Sequence, residues 1–227
     1  MIDIRHVSKA YRISHGWNQV LDDISICLPS NRNIGILGLN GAGKSTLLRL
    51  IGNVEPPDKG EIYRDVRVSW PIGFNGGILP EMTGREGTRF TARIYGADIR
   101  QTEKYVQEFS ELGEYFDMQV KTYSSGMRSR LGFALSMAME FECYLVDEIT
   151  AVGDQRFRAK YQQEFIKRKQ RSNLIMVSHQ PGTIMEFCDM AAVLFDGKII
   201  LYDTVQEGMN AYNDKIRTFN EEKAANE

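Results

Sequence analysis

The sequence has little net charge and no long hydrophobic run. Its 227 residues include 28 Lys and Arg against 30 Asp and Glu, which gives a formal net charge of -2. Such a chain has no overall basic field, so binding to nucleic acid or acidic lipid would need a local patch. No segment approaches the roughly 18 uncharged apolar residues of a membrane-spanning helix. Asp3, Arg5 and His6 lie where a signal peptide would be apolar. We expect any action at a membrane to take place outside the bilayer.

Cysteine is also scarce. Cys27, Cys143 and Cys188 are too far apart in the sequence for a zinc-ligand spacing. We predict that they are buried apolar residues, which favours a reducing compartment. Trp17 and Trp70 are further candidates for the core. A hydrophobic content of 42% and a charged content of 26% are ordinary for a globular domain and exclude a disordered or fibrous protein.

Short apolar strands alternate with helical segments along the chain. Strands are predicted within 2–28, at 34–37, within 61–74, and at 143–146, 174–177, 190–195 and 198–202. This alternation favours a mainly parallel sheet with helices on both faces. We predict a single domain over residues 1–227, with a helical insertion at about 83–140 and a polar tail at 221–227.

One motif predicts a phosphate-binding loop. Residues 38–45 match G-x-x-x-x-G-K-[ST] in full, between an apolar strand and an amphipathic helix. Glycines let backbone N–H groups surround a polyphosphate, and the helix start adds roughly half a positive charge. A Gly-rich turn that binds nothing is the alternative, and this context disfavours it. Lys44 would reach the β- and γ-phosphates and Ser45 would bind Mg²⁺. The predicted nucleotide-binding residues are Asn40, Gly41, Ala42, Gly43, Lys44, Ser45 and Thr46.

Two acids follow the apolar strand at 143–146. A carboxylate at a buried strand end is costly unless a cation lies nearby, so Asp147 is predicted to bind Mg²⁺ through water. By strand alternation Glu148 is expected to point the opposite way, which suits a general base for an attacking water. A surface acidic pair is the alternative for these two residues alone. Together with the phosphate-binding loop, they predict hydrolysis of a nucleotide γ-phosphate rather than kinase activity.

A further motif resembles a known family. Tyr-Ser-Ser-Gly-Met at 123–127 is similar to the Leu-Ser-Gly-Gly-Gln signature of ATP-binding-cassette domains, and the resemblance covers essentially the whole chain. It implies an α/β P-loop NTPase fold with a RecA-like, mainly parallel sheet, an N-terminal antiparallel β subdomain and an inserted helical subdomain. It also implies ATP and Mg²⁺ as cofactors. The site residues that it adds are Ser124, Ser125, Gly126, the D-loop Asp154, the switch His179 and the adenine-stacking Tyr11.

Several positions depart from the common family pattern. Ser125 replaces a glycine, Met127 a glutamine, and Ile149 the proline that follows the catalytic glutamate. Where the Q-loop glutamine is expected, the polar candidate is Asn75. The predicted metal-site residues are therefore Ser45, Asp147 and Asn75, and the predicted catalytic residues are Glu148, His179 and Lys44.

These variants resemble the ATP-binding subunits of capsular polysaccharide exporters. The segments that carry the resemblance lie at 70–77, 82–86, 109–113, 123–128 and 147–154. Related O-antigen exporters often have an additional carbohydrate-binding domain, and we expect none here because the chain ends about 25 residues after its last predicted strand. The implied function is ATP hydrolysis that powers capsule export. Export of O-antigen or teichoic acid, or a soluble non-transport ATPase, is the alternative.

The resemblance also implies partners. Members of the family form head-to-tail homodimers. For this chain the resemblance therefore implies that ATP lies between Lys44 of one copy and Ser124 of the other. A separate integral-membrane permease would handle the polysaccharide, which places the chain at the cytoplasmic face of the bacterial inner membrane, and no nucleic acid is implied. In the family, the permease binds a surface that corresponds to residues 75 to about 95 of this chain. The apolar candidates there are Ile78, Leu79, Met82 and Phe90, for each of which core packing is the alternative.

Overall fold

The computed structural model describes residues 1–72, 78–147, 155–178 and 181–225. The chain divides into two compact units. The first comprises Met1–Val68, Glu142–Glu148 and Asn173–Glu227, and the second comprises Ser69–Phe141 and Ile149–Ser172. No helix in the described part of the chain has the length and apolar character that crossing a bilayer requires.

An antiparallel sheet opens the first unit. It contains β1 (Ile2–Ile13), β2 (Gly16–Leu28) and β4 (Lys59–Arg64), in the order β2-β1-β4. Ile4 pairs with Ile26 on one side and with Ile62 on the other. Alternate apolar residues of β1 and β2 are buried while their neighbours are exposed, as expected of a sheet with one solvated face. The predicted antiparallel β subdomain is confirmed.

The second sheet of this unit is mainly parallel. Its strands run in the order β6-β7-β3-β8-β9, with bounds β3 (Ile34–Leu37), β6 (Cys143–Asp147), β7 (Asn173–Val177), β8 (Met190–Phe195) and β9 (Lys198–Tyr202). All four residues of β3 are buried, as expected of a strand covered on both faces. β6, β7, β3 and β8 are parallel, whereas β9 returns antiparallel to β8. The carboxyl ends of β3 and β6 therefore lie at the same edge.

Within the described residues, three helices belong to the first unit. They are α1 (Lys44–Ile51), α6 (Pro181–Phe187) and α7 (Val205–Ala225). The apolar side of α1 packs into one buried cluster with side chains of both sheets, and its members are Leu47, Leu48, Leu50 and Ile51. Gly52 ends α1. Burial of this apolar side fixes the beginning of α1 just after β3, where the phosphate-binding motif lies.

The second unit is mostly helical. It contains most of β5 (Val68–Ile72), followed by α2 (Gly84–Ile94), α3 (Ile99–Ser110), α4 (Ser125–Ala138) and α5 (Gln155–Lys169), with short 3-10 turns at Gly113–Asp117 and Val120–Thr122. Thr83 and Glu86 form a capping box at the start of α2. Aromatic rings fill the interior, with the rings of Phe133 and Tyr161 stacked at 3.6 Å between centroids. The residues predicted as a helical insertion, about 83–140, thus contain α2, α3 and α4.

Two expectations about the core are wrong. Cys143 and Cys188 are buried as predicted, but Cys27 is exposed because it points outward from β2 between Ile26 and Leu28. Trp70 is buried, whereas Trp17 is 72% exposed near the start of β2, where β1 and β2 join. Burial raises the pKa of the Cys143 thiol to about 12.

Candidate functional site

The loop between β3 and α1 is shaped by its glycines. Gly41 and Gly43 have φ angles of 82° and 98°, in the left-handed region that favours glycine. A Cβ on Gly43 would lie 2.5 Å from Cγ1 of Val20, and one on Gly38 would lie 2.5 Å from the carbonyl oxygen of Leu194. Backbone approach at these positions requires glycine. The segment that is predicted to bind phosphate therefore forms a turn that is closely packed at Gly38 and Gly43.

Lys44 lies inside this loop. Its side chain is buried, and its Nζ donates to the carbonyl oxygens of Gly38, at 2.8 Å, and Leu39, at 2.9 Å. The ammonium group is therefore held by the same backbone that would surround a polyphosphate. A cation in this position offsets the charge of phosphate oxygens.

The beginning of α1 lies beside the lysine. Its N-cap residue, Gly43, makes no side-chain cap, and the first turn contains no acid. The positive end of the helix dipole is thus directed at the loop without a competing carboxylate. Ser45 is half-buried, and the hydroxyl of the buried Thr46 accepts a hydrogen bond from Arg49 at 3.1 Å. These features make the beginning of α1 suitable for binding an anion.

Asp147 ends β6 at the same sheet edge. It is half-buried and is aligned with Val177 of the neighbouring strand β7. Helix α1 contacts β6. The structure thus places a carboxylate on a strand that packs against the helix of Ser45. Ligands of open α/β sheets bind at such carboxyl ends of strands.

Four predicted site residues lie outside the described residues: Asn75, Glu148, Asp154 and His179. Their assigned roles stay predictions. The described part of the site is therefore the phosphate-binding side, with Asp147 at its edge.

The predicted signature lies in the second unit. Ser124 is the N-cap of α4, and its Oγ accepts a hydrogen bond from the backbone N–H of Met127 at 3.2 Å. Ser124 and Ser125 are exposed and Gly126 is half-buried. The first turn of α4 contains no acid. An exposed helix start with two hydroxyl groups can bind a phosphate oxygen supplied from outside the unit.

Tyr11 lies on β1 and its hydroxyl is engaged by neighbouring residues. It donates to Glu55 at 2.5 Å and accepts from Arg49 at 3.0 Å. Lys9 Nζ lies 5.6 Å from the centre of the Tyr11 ring. The structure therefore fixes Tyr11 next to α1, while its adenine-stacking role stays a prediction.

A cavity of about 600 Å³ adjoins the outer side of the loop. Residues 40–42 form one wall, residues 18–20 of β2 another, and the turn at 195–197 with Phe219 of α7 a third. Sequence reasoning identified only the first wall. The Asp-Gly pair at 196–197 marks a tight turn, but nothing in the pattern shows that α7 returns to this place.

The fold and the loop define a class: an α/β nucleotide-binding domain of the P-loop type. The family model for ABC transporters matches residues 21–151. This chain belongs to the ABC transporter family. As a cassette of that family it binds and hydrolyses ATP.

Individual relatives narrow the comparison. The chain is 48% identical over 215 residues to the polysialic acid transport ATP-binding protein KpsT of Escherichia coli, covering 93% of this chain and 96% of KpsT. It is 47% identical to the capsule polysaccharide export ATP-binding protein CtrD of Neisseria meningitidis serogroup B, covering 94% and 99%. A solved dimer of the ATP-binding cassette MJ0796 bound to ADP and Pi has a TM-score of 0.70 and 19% identity, covering 89% and 98%. The last similarity shows the shared fold.

Proposed function

We propose that this chain powers export of a capsular polysaccharide across the bacterial inner membrane. It acts as a homodimer of ATPase subunits docked on a separate integral-membrane subunit. The observation that carries the proposal is the identity of 47–48% to two named polysaccharide transport and export subunits along nearly the full length of each. The glycine-shaped loop around Lys44 supplies the site at which the nucleotide is bound.

The first unit would hold the triphosphate. Lys44 and the backbone N–H groups at the start of α1 would bind the β- and γ-phosphates, since both present positive charge at the same place. Glu148 would take a proton from the attacking water and His179 would contact the γ-phosphate, as their positions in the family motifs imply. Tyr11 would contact the adenine.

The residues present fit a Mg²⁺ ion. Hydroxyl and carboxylate oxygens are ligands that Mg²⁺ prefers, and it usually binds through one or two carboxylates together with substrate phosphates. Ser45 and Asp147 supply one of each, on two elements that contact each other, and Asn75 is a third candidate. Among the described residues, no three His, Cys, Asp or Glu side chains cluster as a metal cage would require. Bound Mg²⁺ would neutralise the charge that develops on the phosphates.

Two copies would complete each site. Lys44 and Ser124 lie in different compact units of one chain. We infer that the exposed helix start at Ser124 of one copy binds the γ-phosphate held by Lys44 of the other. The interface would be isologous and closed by nucleotide. Hydrolysis would remove the bridging phosphate and loosen the dimer.

Helix α2 offers a surface for the membrane subunit. Phe90 and Ile94, one helical turn apart, are 42% and 62% exposed, and the nearby Leu79 is 57% exposed. Thr88 and Ala92, on the opposite side of α2, are buried. An exposed apolar group of this kind marks an interaction surface, and we assign it to the permease. This docking would hold the chain at the cytoplasmic face of the membrane.

Complementation tests the proposed function. In a capsule-producing strain lacking its own export ATPase gene, this chain should restore surface polysaccharide, and Lys44→Ala should not. The measurement is surface polysaccharide detected with a capsule-specific antibody, with expression confirmed by immunoblot. Restoration only in a strain that lacks an O-antigen or teichoic-acid export ATPase would contradict the capsule assignment.

Dimer formation has its own test. Glu148→Gln should keep ATP bound and accumulate a dimer in the presence of ATP and Mg²⁺, because the step that opens the dimer is blocked. Sedimentation velocity with and without nucleotide measures this. A Glu148→Gln protein that stays monomeric at saturating ATP would contradict either the general-base role or the two-copy site.

A further inference from the structure

Arg49, in the last turn of α1, joins residues of three different segments. Its Nη2 donates to the hydroxyl of Tyr11 on β1 at 3.0 Å and to Oγ1 of Thr46 at 3.1 Å. Its Nε donates to Glu55, after α1, at 3.2 Å. Tyr11 also donates its hydroxyl proton to Glu55 at 2.5 Å. One guanidinium thus connects the phosphate-binding motif to the aromatic residue of the first sheet.

The donors and acceptors of this cluster match. The two N–H groups of Nη2 serve Tyr11 and Thr46, and the tyrosine hydroxyl both accepts from Arg49 and donates to Glu55. The side chains of Arg49 and Glu55 are only 31% and 23% exposed. Such partly buried, charge-assisted hydrogen bonds are stronger and better defined than exposed ones. The cluster therefore restricts where Tyr11 can lie relative to Thr46.

The chain after α1 makes further contacts with the same part of β1. Lys9 donates to the carbonyl of Pro56 and to Asp58, both at 2.9 Å. Asp58 also accepts from the backbone N–H of Ala10 at 2.7 Å. The strand position that carries Tyr11 is thus fixed through its backbone as well as through its hydroxyl.

From this geometry we infer that Arg49 is a positioning residue for the nucleotide. It holds the Tyr11 ring at a fixed place relative to the phosphate-binding loop, so that the base and the phosphates of one nucleotide are bound together. The inference rests on the proposed function, in which Tyr11 contacts the adenine and the loop binds the phosphates. Neither Arg49 nor Glu55 belongs to the motifs that define the site.

Comparing two ligands distinguishes a role in positioning the base from a role in phosphate binding or in stability. ATP carries both base and phosphates, whereas inorganic tripolyphosphate carries phosphates alone. Arg49→Met should weaken ATP binding about tenfold, as expected for the loss of one charge-assisted hydrogen bond, and leave tripolyphosphate binding within about twofold. Isothermal titration calorimetry of each variant with each ligand measures the dissociation constants.

Tyr11→Phe provides an independent variant that keeps the ring and removes a single oxygen. It should weaken ATP binding about threefold, and the double variant should bind ATP no more weakly than Arg49→Met, because the two changes break the same connection. Arg49→Lys keeps the charge but lacks the planar fork, so it should also weaken ATP binding.

Arg64→Met is the matched control. Arg64 is a half-buried arginine at the same, carboxyl end of α1, where it donates to the carbonyls of Leu50 and Ile51 at 2.6 Å each and not to Tyr11, Thr46 or Glu55. Its removal should lower the melting temperature without changing the ratio of the ATP and tripolyphosphate dissociation constants. Circular dichroism melts of all variants separate lost stability from lost positioning.

The outcomes are distinct. An unchanged ratio in Arg49→Met, an equal loss of both ligands, or additive effects in the double variant would overturn the inference and leave the proposed function standing. Wild-type protein that binds neither ATP nor tripolyphosphate would overturn the proposed function, and the inference with it.

Discussion

The two helix starts that we propose bind phosphate, those of α1 and α4, are built differently. Helix α1 begins at a left-handed glycine that has no side chain to cap it, and its first residue is the buried Lys44. The N-cap of helix α4 is Ser124, which is exposed and whose hydroxyl accepts the capping hydrogen bond. Neither has an acid in its first turn. We propose that the loop at α1 encloses a phosphate, whereas Ser124 caps α4 as an acceptor and keeps its own O–H to donate to a phosphate oxygen.

The comparison predicts its largest effect at Lys44. Lys44→Ala should lower ATP hydrolysis by about 100-fold or more, because it removes the cation inside the loop. The control is Lys160→Ala, since Lys160 also donates to a backbone carbonyl, that of Phe109 at 2.9 Å, but lies in the second unit. Phosphate release measures both. Near-normal turnover in Lys44→Ala would contradict the assignment of the loop.

A charge at Ser124 separates the capping role of α4 from its proposed ligand role. Asp caps helices about as well as Ser, so Ser124→Asp should leave the free energy of unfolding within about 0.5 kcal/mol of wild type. Its charge should repel the γ-phosphate, abolishing the ATP-dependent dimer and lowering hydrolysis about 100-fold. Urea unfolding and sedimentation velocity measure the two effects.

The reverse exchange is the control for that variant. Asp98 caps α3 by accepting from the N–H of Gln101 at 2.8 Å, so Asp98→Ser should change neither stability nor turnover appreciably. If Ser124→Asp still dimerises with ATP, then α4 does not bind the nucleotide of a second copy.

Glycine substitutions test whether the backbone is more tightly constrained in the loop before α1 than at the start of α4. Gly43→Ala should lower the free energy of unfolding by about 1–3 kcal/mol, because its φ is positive and the new Cβ would meet Val20. Gly126→Ala should change it by less than about 1 kcal/mol, since the nearest atom to a Cβ there is Ser124 Oγ at 3.9 Å. Equal losses in the two variants, measured by urea unfolding, would remove the distinction.

The smallest effect concerns the cap itself. Ser124→Ala should lower the free energy of unfolding by about 1 kcal/mol, since the N–H of Met127 loses its acceptor. Restoration by Ser124→Asn would identify the cap as the cause. Stability unaffected by either change would show that water replaces the hydroxyl fully.

Local patterns were sufficient for much of the fold. The bounds of β8 and β9 follow from the apolar runs on either side of Asp196 and Gly197, and the start of α1 follows from the motif that ends at Ser45. The Thr-x-x-Glu pattern at 83–86 likewise signals the start of α2. In each case the determinants are neighbours in sequence.

Contacts between distant segments could not be predicted from local sequence patterns. The exposure of Trp17 depends on where the β1-β2 hairpin leaves the sheet, and period-2 alternation alone does not show which face of a strand is buried. The contact of Tyr11 with Glu55 depends on how the chain folds back after α1. Phe219 reaches the cavity beside residue 40 from the far end of the sequence.

The two carbonyl contacts of Lys44 also bear on the thermodynamics of ligand capture. A free lysine side chain has about 2 kcal/mol of rotamer entropy at room temperature. Here that freedom is lost when the loop folds, since Gly38 and Leu39 already hold the ammonium group. A nucleotide therefore meets an ordered cation and gains affinity at the expense of the stability of the loop. Binding at this loop should accordingly show a smaller unfavourable conformational entropy than binding by an unrestrained surface lysine.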